Sequence, residues 1–308
     1  MKFTLSAEQR DFAAALHDLL SGSDTPAAVR AWSRGDHEPG LKVWRNLAGM
    51  GVLELLGESD IEAADVVVAF EAFGYHAVPG PLIESVVVAP LLLPGNTEIV
   101  TVLAPPEVPF ALDADIARVV LRLDGGKAAR MAVEEATPVS SIDPARRLFR
   151  VRGTAEESIV DADVARAFDY AVLAVAAQLL GAGQWLLDTA VAYAQQRHQY
   201  GRPIGGYQAI KHLLADVVTR LELARPLIHG AAVAIDGSAA SVTRDVSAAK
   251  VAAGDAAYLA ARTALQVHGA IGFTAEHDLG LWLTKVRALV GAWGGGAFHR
   301  RRVLEGLG

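Results

Sequence analysis

The chain has 308 residues, 52% of them hydrophobic, and a formal net charge of −7. That length buries a large core, as one elongated unit or two to three subdomains. The negative balance argues against an electrostatic nucleic-acid surface. The sequence holds no cysteine, which excludes disulfides, thiolate metal sites and cysteine nucleophiles and fits a cytoplasmic protein.

Met1–Gln9 lacks the basic run and apolar core of a signal peptide. Ser6 and Gln9 have the spacing of a capping box, and Phe12, Leu16, Leu19 and Leu20 give the helix behind it an apolar stripe. A second helix is expected from Trp44 to the glycines at 49 and 51, a third over Asp65–Gly74, and a fourth over Leu82–Leu93 after Pro79-Gly80-Pro81. Pro94-Gly95 then marks a boundary. Beyond it Ile99–Leu103, Ala117–Leu123, Ala128–Glu134 and Leu148–Arg152 read as short strands.

The pattern returns to helix at Ala162. Asp163 can cap a helix running to Gln196. Within it, Tyr170–Leu187 is uncharged and about long enough to span a bilayer. Its flanks carry aspartates rather than Lys or Arg, so it reads as a buried core helix. Further helices are expected over Tyr207–Ala234, kinked at Pro226, then Ser241–Val267, Asp278–Val290 and Phe298–Glu305. The fold class is therefore mostly α with a small β-domain, divided as 1–96 helical, 97–160 β, and 161–308 a C-terminal four-helix bundle.

Chemistry concentrates in residues 193–216. Gly201 can close a helix and Pro203 forbids its continuation. Arg197 in the last turn is either an anion clamp, its guanidinium fork suiting a pyrophosphate, or a cation offsetting the helix dipole. The run Tyr193-x-x-x-Arg197-x-x-Tyr200-Gly201-x-Pro203-Ile204-x-x-Tyr207-Gln208 resembles the start of the C-terminal helical domain of the acyl-CoA dehydrogenases, which are FAD-dependent flavoproteins. The resemblance implies that Arg197 reaches the FAD pyrophosphate held by a neighbouring subunit, with Gln199, Tyr200 and Gln208 beside it.

A second segment, Leu265-Gln266-Val-His268-Gly269-Ala270-Ile271-Gly272-Phe273, resembles the family's Gln-x-x-Gly-Gly-x-Gly-aromatic run, with Ala270 at the second glycine. There Gln266, Gly269 and Ala270 would line the same FAD edge, glycines letting backbone N–H groups approach phosphates closely. A glycine that merely ends a helix is the alternative. His268 is given no chemistry.

The likeness breaks at the catalytic carboxylate. Counting from Lys285-Val-Arg287, the Tyr-Glu-Gly-Thr segment falls on Ala292-Trp293-Gly294-Gly295, with Trp293 where most members carry Glu. An indole only donates a hydrogen bond and cannot take the α-proton. The other base position in the family falls on Ala171, followed by Val172. Glu276 and Asp278 read as acids opening a helix. His299-Arg300-Arg301-Arg302 is a cluster of helix-end cations or, alternatively, a phosphate contact. The family's Thr-Glu and Gly-Ser-Asp flavin contacts are missing from 98–160.

The resemblance thus implies a subunit of an FAD-dependent acyl-CoA dehydrogenase that desaturates an acyl-CoA thioester. It would lack its own catalytic Glu and lend FAD-edge contacts to a homologous catalytic subunit. An α2β2 heterotetramer is expected, like the paired subunits of actinobacterial steroid-degrading enzymes, with no metal, nucleic acid or membrane. An autonomous acyl-CoA oxidoreductase with a displaced base and a flavin-free scaffold are the alternatives.

Overall fold

The computed structural model describes residues 4–57 and 62–308. Met1, Lys2 and Phe3, at the start of the stretch tested for a signal peptide, lie outside them.

Helices α1 (Ala7–Ser21), α2 (Thr25–Ser33), α3 (Glu38–Ala48) and α4 (Ala63–Tyr75) come first. The Ser6–Gln9 capping box forms, with Gln9 N donating to Ser6 Oγ at 3.1 Å and Ser6 N to Gln9 Oε1 at 3.1 Å. Two expectations change here. Asp24, in the left-handed region at φ 41°, caps α2, a helix absent from the sequence reading. The second expected helix is α3, which starts earlier, and Val52–Gly57 coils as a separate 3-10 turn. Trp32 and Trp44, fully or nearly fully buried, anchor α2 and α3, and Trp44 Nε1 donates to Pro79 O at 2.9 Å.

Helix α5 (Ile83–Leu92) opens as a π-helix over Ile83–Val88. Such wide turns concentrate at functional sites because one residue is displaced from the regular ladder.

Five strands follow: β1 (Val100–Leu103), β2 (Ala111–Leu112), β3 (Val119–Asp124), β4 (Lys127–Val139) and β5 (Leu148–Ile159). Their order is β1-β3-β4-β5-β2, with β1 and β3 parallel and the other pairs antiparallel. Strands β4 and β5 are about twice the expected length. Between the ends held by β3 and by β2, Met131–Thr137 and Arg150–Ala155 pair only with each other, forming a two-stranded arm with much of both faces exposed. Register shifts break the arm between Arg130/Met131 and Val133/Glu135.

Helix α6 (Val164–Gln196) organises the remainder. Asp163 caps it, accepting from Arg166 N at 2.9 Å. It is long and apolar enough to cross a membrane, yet 89% of its most apolar window is buried inside the protein. It packs against α4, α7 (Gln208–Asp236), α8 (Val242–His268) and α9 (Leu279–Gly291), and α10 (Gly296–Glu305) closes against α8. A helix surrounded this way is apolar all round. Helix α7 runs unbroken through Pro226.

At the crossing of α4 and α6, glycines let the backbones touch. A Cβ on Gly74 would lie 2.0 Å from Gln178 O, and one on Gly181 1.9 Å from Glu71 O. Three further ties lock the N-terminal helices to the C-terminal ones. Trp282 Nε1 donates to Tyr75 O (3.0 Å), Lys285 Nζ to Val78 O (2.9 Å), and Arg225 Nη1 to Glu71 Oε1 (2.6 Å).

Candidate functional site

Helix α6 ends one residue before Arg197, whose extended backbone (φ −76°, ψ 119°) turns the chain outward. Gly201 therefore does not close the helix, as the sequence suggests. It sits instead in a two-residue hairpin between β6 (His198–Gln199) and β7 (Arg202–Pro203). Tyr200 and Gly201 both have positive φ, 52° and 80°, as the turn of a tight hairpin requires. Tyr207 Oη donates to Gln199 O at 3.1 Å and the Arg202 guanidinium lies 3.9 Å from the Tyr207 ring, so both sides brace the hairpin. Arg197 is exposed and makes no ion pair among the described residues. Gln199, Tyr200 and Gln208 are exposed as well, Tyr200 at 94%.

The second segment lies beside the first. Tyr193, one turn before Arg197, stacks on His268 with ring centroids 4.4 Å apart. His268 ends α8, and Gly269 follows at φ 63°, ψ −138°, with open space where a Cβ would be. Gln266, Gly269 and Ala270 are exposed. His268 Nδ1 donates to Ala264 O at 2.7 Å, burial lowers its pKa so that the ring is neutral, and Nε2 is left buried without a partner. All seven residues singled out by the sequence thus stand around one end of the bundle. His268 joins the two segments, a packing role invisible in the sequence.

The loop after α9 builds a second region. Trp293 is 1% exposed with φ 54°, its ring edge-on to Phe168 (5.6 Å). His299 bridges from α10, donating from Nε2 to Trp293 O at 3.0 Å. The indole Nε1 donates to Glu84 Oε1 at 3.3 Å. Glu84 comes from the π-helical turn, is 2% exposed, and keeps Oε2 unpartnered. Burial pushes its pKa up, against a weaker pull from Arg146. Between these groups and the β-domain loops lies a cleft of about 260 Å³, lined by Glu84, Phe110, Ser141, Arg146, Leu148 and Trp293.

The other sequence candidates have structural partners. Ala171 and Val172 are fully buried in α6. Asp278 pairs with Arg30, and Glu276 is exposed. In the basic cluster Arg302 grips Asp169 (2.5 Å), Arg300 meets Asp255 (3.0 Å), and His299 is fully buried. Three of its four members fasten α10 to the bundle, while Arg301 is exposed. Glu84 and Arg146 were missed by sequence reasoning. The available signal was a single acid within the otherwise apolar Leu82–Leu93 run.

The architecture sets a small sheet between the N-terminal helices and a C-terminal set of helices packed around one buried helix. The family model for the acyl-CoA dehydrogenase C-terminal domain matches residues 162–308. The acyl-CoA dehydrogenase IpdE2 of Mycobacterium tuberculosis is 32% identical over 285 residues, covering 87% of each chain. In solved structures, the ChsE4-ChsE5 complex from Mycobacterium tuberculosis superposes with TM-score 0.82 at 22% identity, over 100% of this chain and 99% of that one. The Tcur3481-Tcur3483 steroid acyl-CoA dehydrogenase gives 0.86 at 19% identity, over 99% and 98%. The chain belongs to the acyl-CoA dehydrogenase family.

Proposed function

We propose that the chain is a subunit of an FAD-dependent acyl-CoA dehydrogenase that has no base of its own and completes the FAD site of a homologous catalytic partner. The observation that carries this reading is the exposed assembly of Arg197, Gln199, Tyr200, Gln208, Gln266, Gly269 and Ala270 around the Tyr193–His268 stack. The donor set fits a phosphate-bearing cofactor. A free guanidinium and bare glycine backbone offer charge and N–H groups.

FAD, when bound, accepts a hydride from the acyl β-carbon. This chain's residues would do the holding: Arg197 would clamp the pyrophosphate, Gln208 and Gln266 would orient it, and the Gly269 backbone would admit it closely. At position 293 an indole bonded to Glu84 stands where the resemblance puts a carboxylate, which supports the base-less reading. An α2β2 assembly and domains at 1–96, 97–160 and 161–308 belong to the same proposal. So does a steroid-derived acyl group, supported by the name of the Tcur3481-Tcur3483 relative.

The test is flavin content and turnover of the chain alone and co-purified with its partner from the native host. Yellow colour and acyl-CoA oxidation only in the complex are expected. Turnover by the single chain would overturn the reading, as would a flavin-free active complex.

A further inference from the structure

We propose that His37, Asp113 and Asp115 form a binding site for one divalent cation of the zinc class, at the seam where helices α2 and α3 meet the sheet. The site shares no residue with the FAD edge or with the cleft beside Trp293.

His37 stands in the turn between α2 and α3, and Asp113 and Asp115 follow β2. One ligand atom from each lies within 4.8 Å of the other two. No other such trio of histidine and acid groups occurs among the described residues. Burial is graded across it. Asp113 is fully buried, His37 is partly buried and Asp115 reaches solvent, so the site has a floor and a mouth. Nothing local in the sequence announces it, since His37 and the aspartates lie in separate stretches of the chain.

The floor supplies the observation that points to a ligand. Asp113 Oδ1 accepts from Trp32 Nε1 at 2.9 Å, which fixes the carboxyl plane, while Oδ2 is buried without a partner. Trp32 is itself fully buried and stands edge-on to the His37 ring at 4.7 Å, so one indole holds two of the three groups. Metal ligands are commonly oriented by hydrogen-bonding neighbours of this kind.

The Arg147 guanidinium holds the mouth. Its Nη1 donates to Asp115 Oδ2 at 2.6 Å and contacts His37 Nε2. Arginine cannot accept a hydrogen bond, so that Nε2 presents a lone pair, the form in which imidazole binds a metal. Positive charge therefore already belongs between His37 and Asp115. The flat fork serves those two groups and leaves Asp113 Oδ2 unserved, whereas a spherical ion reaches all three. Arg147 has room to withdraw: its side chain is 23% exposed, and its Cζ lies 5.6 Å from the Phe149 ring centre.

One imidazole and two carboxylates, with no thiolate, suit zinc or a neighbouring transition ion rather than magnesium, which takes an all-oxygen shell. Ligand atoms of a tetrahedral zinc stand about 3.4 Å apart, so side-chain movements of at most about 1.4 Å close the set. Water entering beside Asp115 would fill the fourth position. The bound ion would clasp the N-terminal helices to the sheet.

The purified full chain, stripped with a chelator, is titrated with zinc chloride by calorimetry, and cobalt(II) serves as the visible-absorption probe. One zinc per chain is expected, with tetrahedral cobalt bands and a melting temperature that rises with zinc. Asp113→Asn, which keeps an acceptor for Trp32, and His37→Gln should each weaken zinc by about tenfold or more and erase that rise. Arg147→Ala should bind zinc about two- to fivefold tighter, because the competing cation is gone.

Absence of a stoichiometric zinc site, wild-type affinity in either ligand variant, unaltered or weaker binding by Arg147→Ala, or competition by equimolar magnesium would overturn the proposal. Should one ligand variant fail to fold, the other and Arg147→Ala decide, since His37 and Asp113 lie on different elements. The readout involves no flavin or partner, so its failure leaves the FAD-edge reading standing, and the reverse holds.

Discussion

Trp293→Glu places a carboxylate at the position where the family resemblance expects one, and it should yield a less stable protein with no activity. Trp293 is 1% exposed, packs edge-on to Phe168 and donates to Glu84. Truncating a buried aromatic costs about 3–5 kcal/mol, and glutamate refills only part of that volume. The new carboxyl would face Glu84, an acid already short of a partner, so its charged form meets both desolvation and a second carboxyl.

A loss of about 3–5 kcal/mol corresponds to a melting temperature lower by roughly 6–15 °C, at about 2–3 °C per kcal/mol. The sign with pH follows from linkage. A carboxyl whose folded pKa is raised favours folding below its unfolded pKa and loses that contribution as pH rises toward the folded value. The deficit relative to wild type should therefore widen from pH 5 to pH 8. Scanning calorimetry at both pH values, together with an acyl-CoA oxidation assay, provides the measurement. A melting temperature within about 2 °C of wild type, a deficit that shrinks with pH, or any turnover would refute the reasoning.

Gly181→Ala should destabilise by about 3 kcal/mol or more, read in denaturant melts, because its Cβ would press 1.9 Å from the Glu71 carbonyl and backbone cannot step aside as a side chain can. Arg197→Ala should leave the melting temperature unchanged within about 2 °C, since the side chain has no ion pair, while lowering flavin retention in the assembled complex roughly ten- to a hundredfold. Unchanged flavin with a lowered melting temperature would return Arg197 to a purely structural role. Asp113→Asn should flatten the pH dependence of melting between about pH 4 and 8: burial pushes the Asp113 pKa up to about 8, so wild type sheds stability across that window as pH rises. The amide still accepts from Trp32 Nε1 and tolerates the left-handed backbone at φ 52°. A parallel pair of melting curves would contradict this.

The helices of the C-terminal half were legible in the sequence because each signal was local. Asp163 announced the start of α6, and the 3.6-residue apolar pattern carried α7 and α8 to within a residue or two of their observed ends. The pairing of the Arg197 and Gly269 segments was legible only through resemblance. Nothing in the spacing alone says that Tyr193 stacks on His268. The long β4–β5 arm escaped because both of its faces meet solvent, so apolar alternation stops at Val133 while the pairing continues. Helix α2 escaped because a left-handed Asp24 cap looks like an ordinary turn residue. Glu84 and Arg146 meet only through the packing of α5 against the sheet loops and α9, a tertiary event that no window of sequence contains.

The exposed arm also bears on how the chain behaves in concentrated solution. Two bare strand edges are an invitation to pair with any other extended chain, and such edges drive fibril growth in concentrated or freshly synthesised protein. Here the invitation is declined. Charges of both signs line the strands, with Arg130–Glu157 at 3.6 Å and Arg152–Glu135 at 3.4 Å clasping across them. Pro138 removes a donor near the end of β4, Gly153 sits against the Ala132 carbonyl in β5, and two register shifts twist the ribbon away from flatness. A flat visitor finds neither a regular row of donors nor a greasy face. The arm can thus leave both of its outer edges unpaired without recruiting copies of the chain into aggregates.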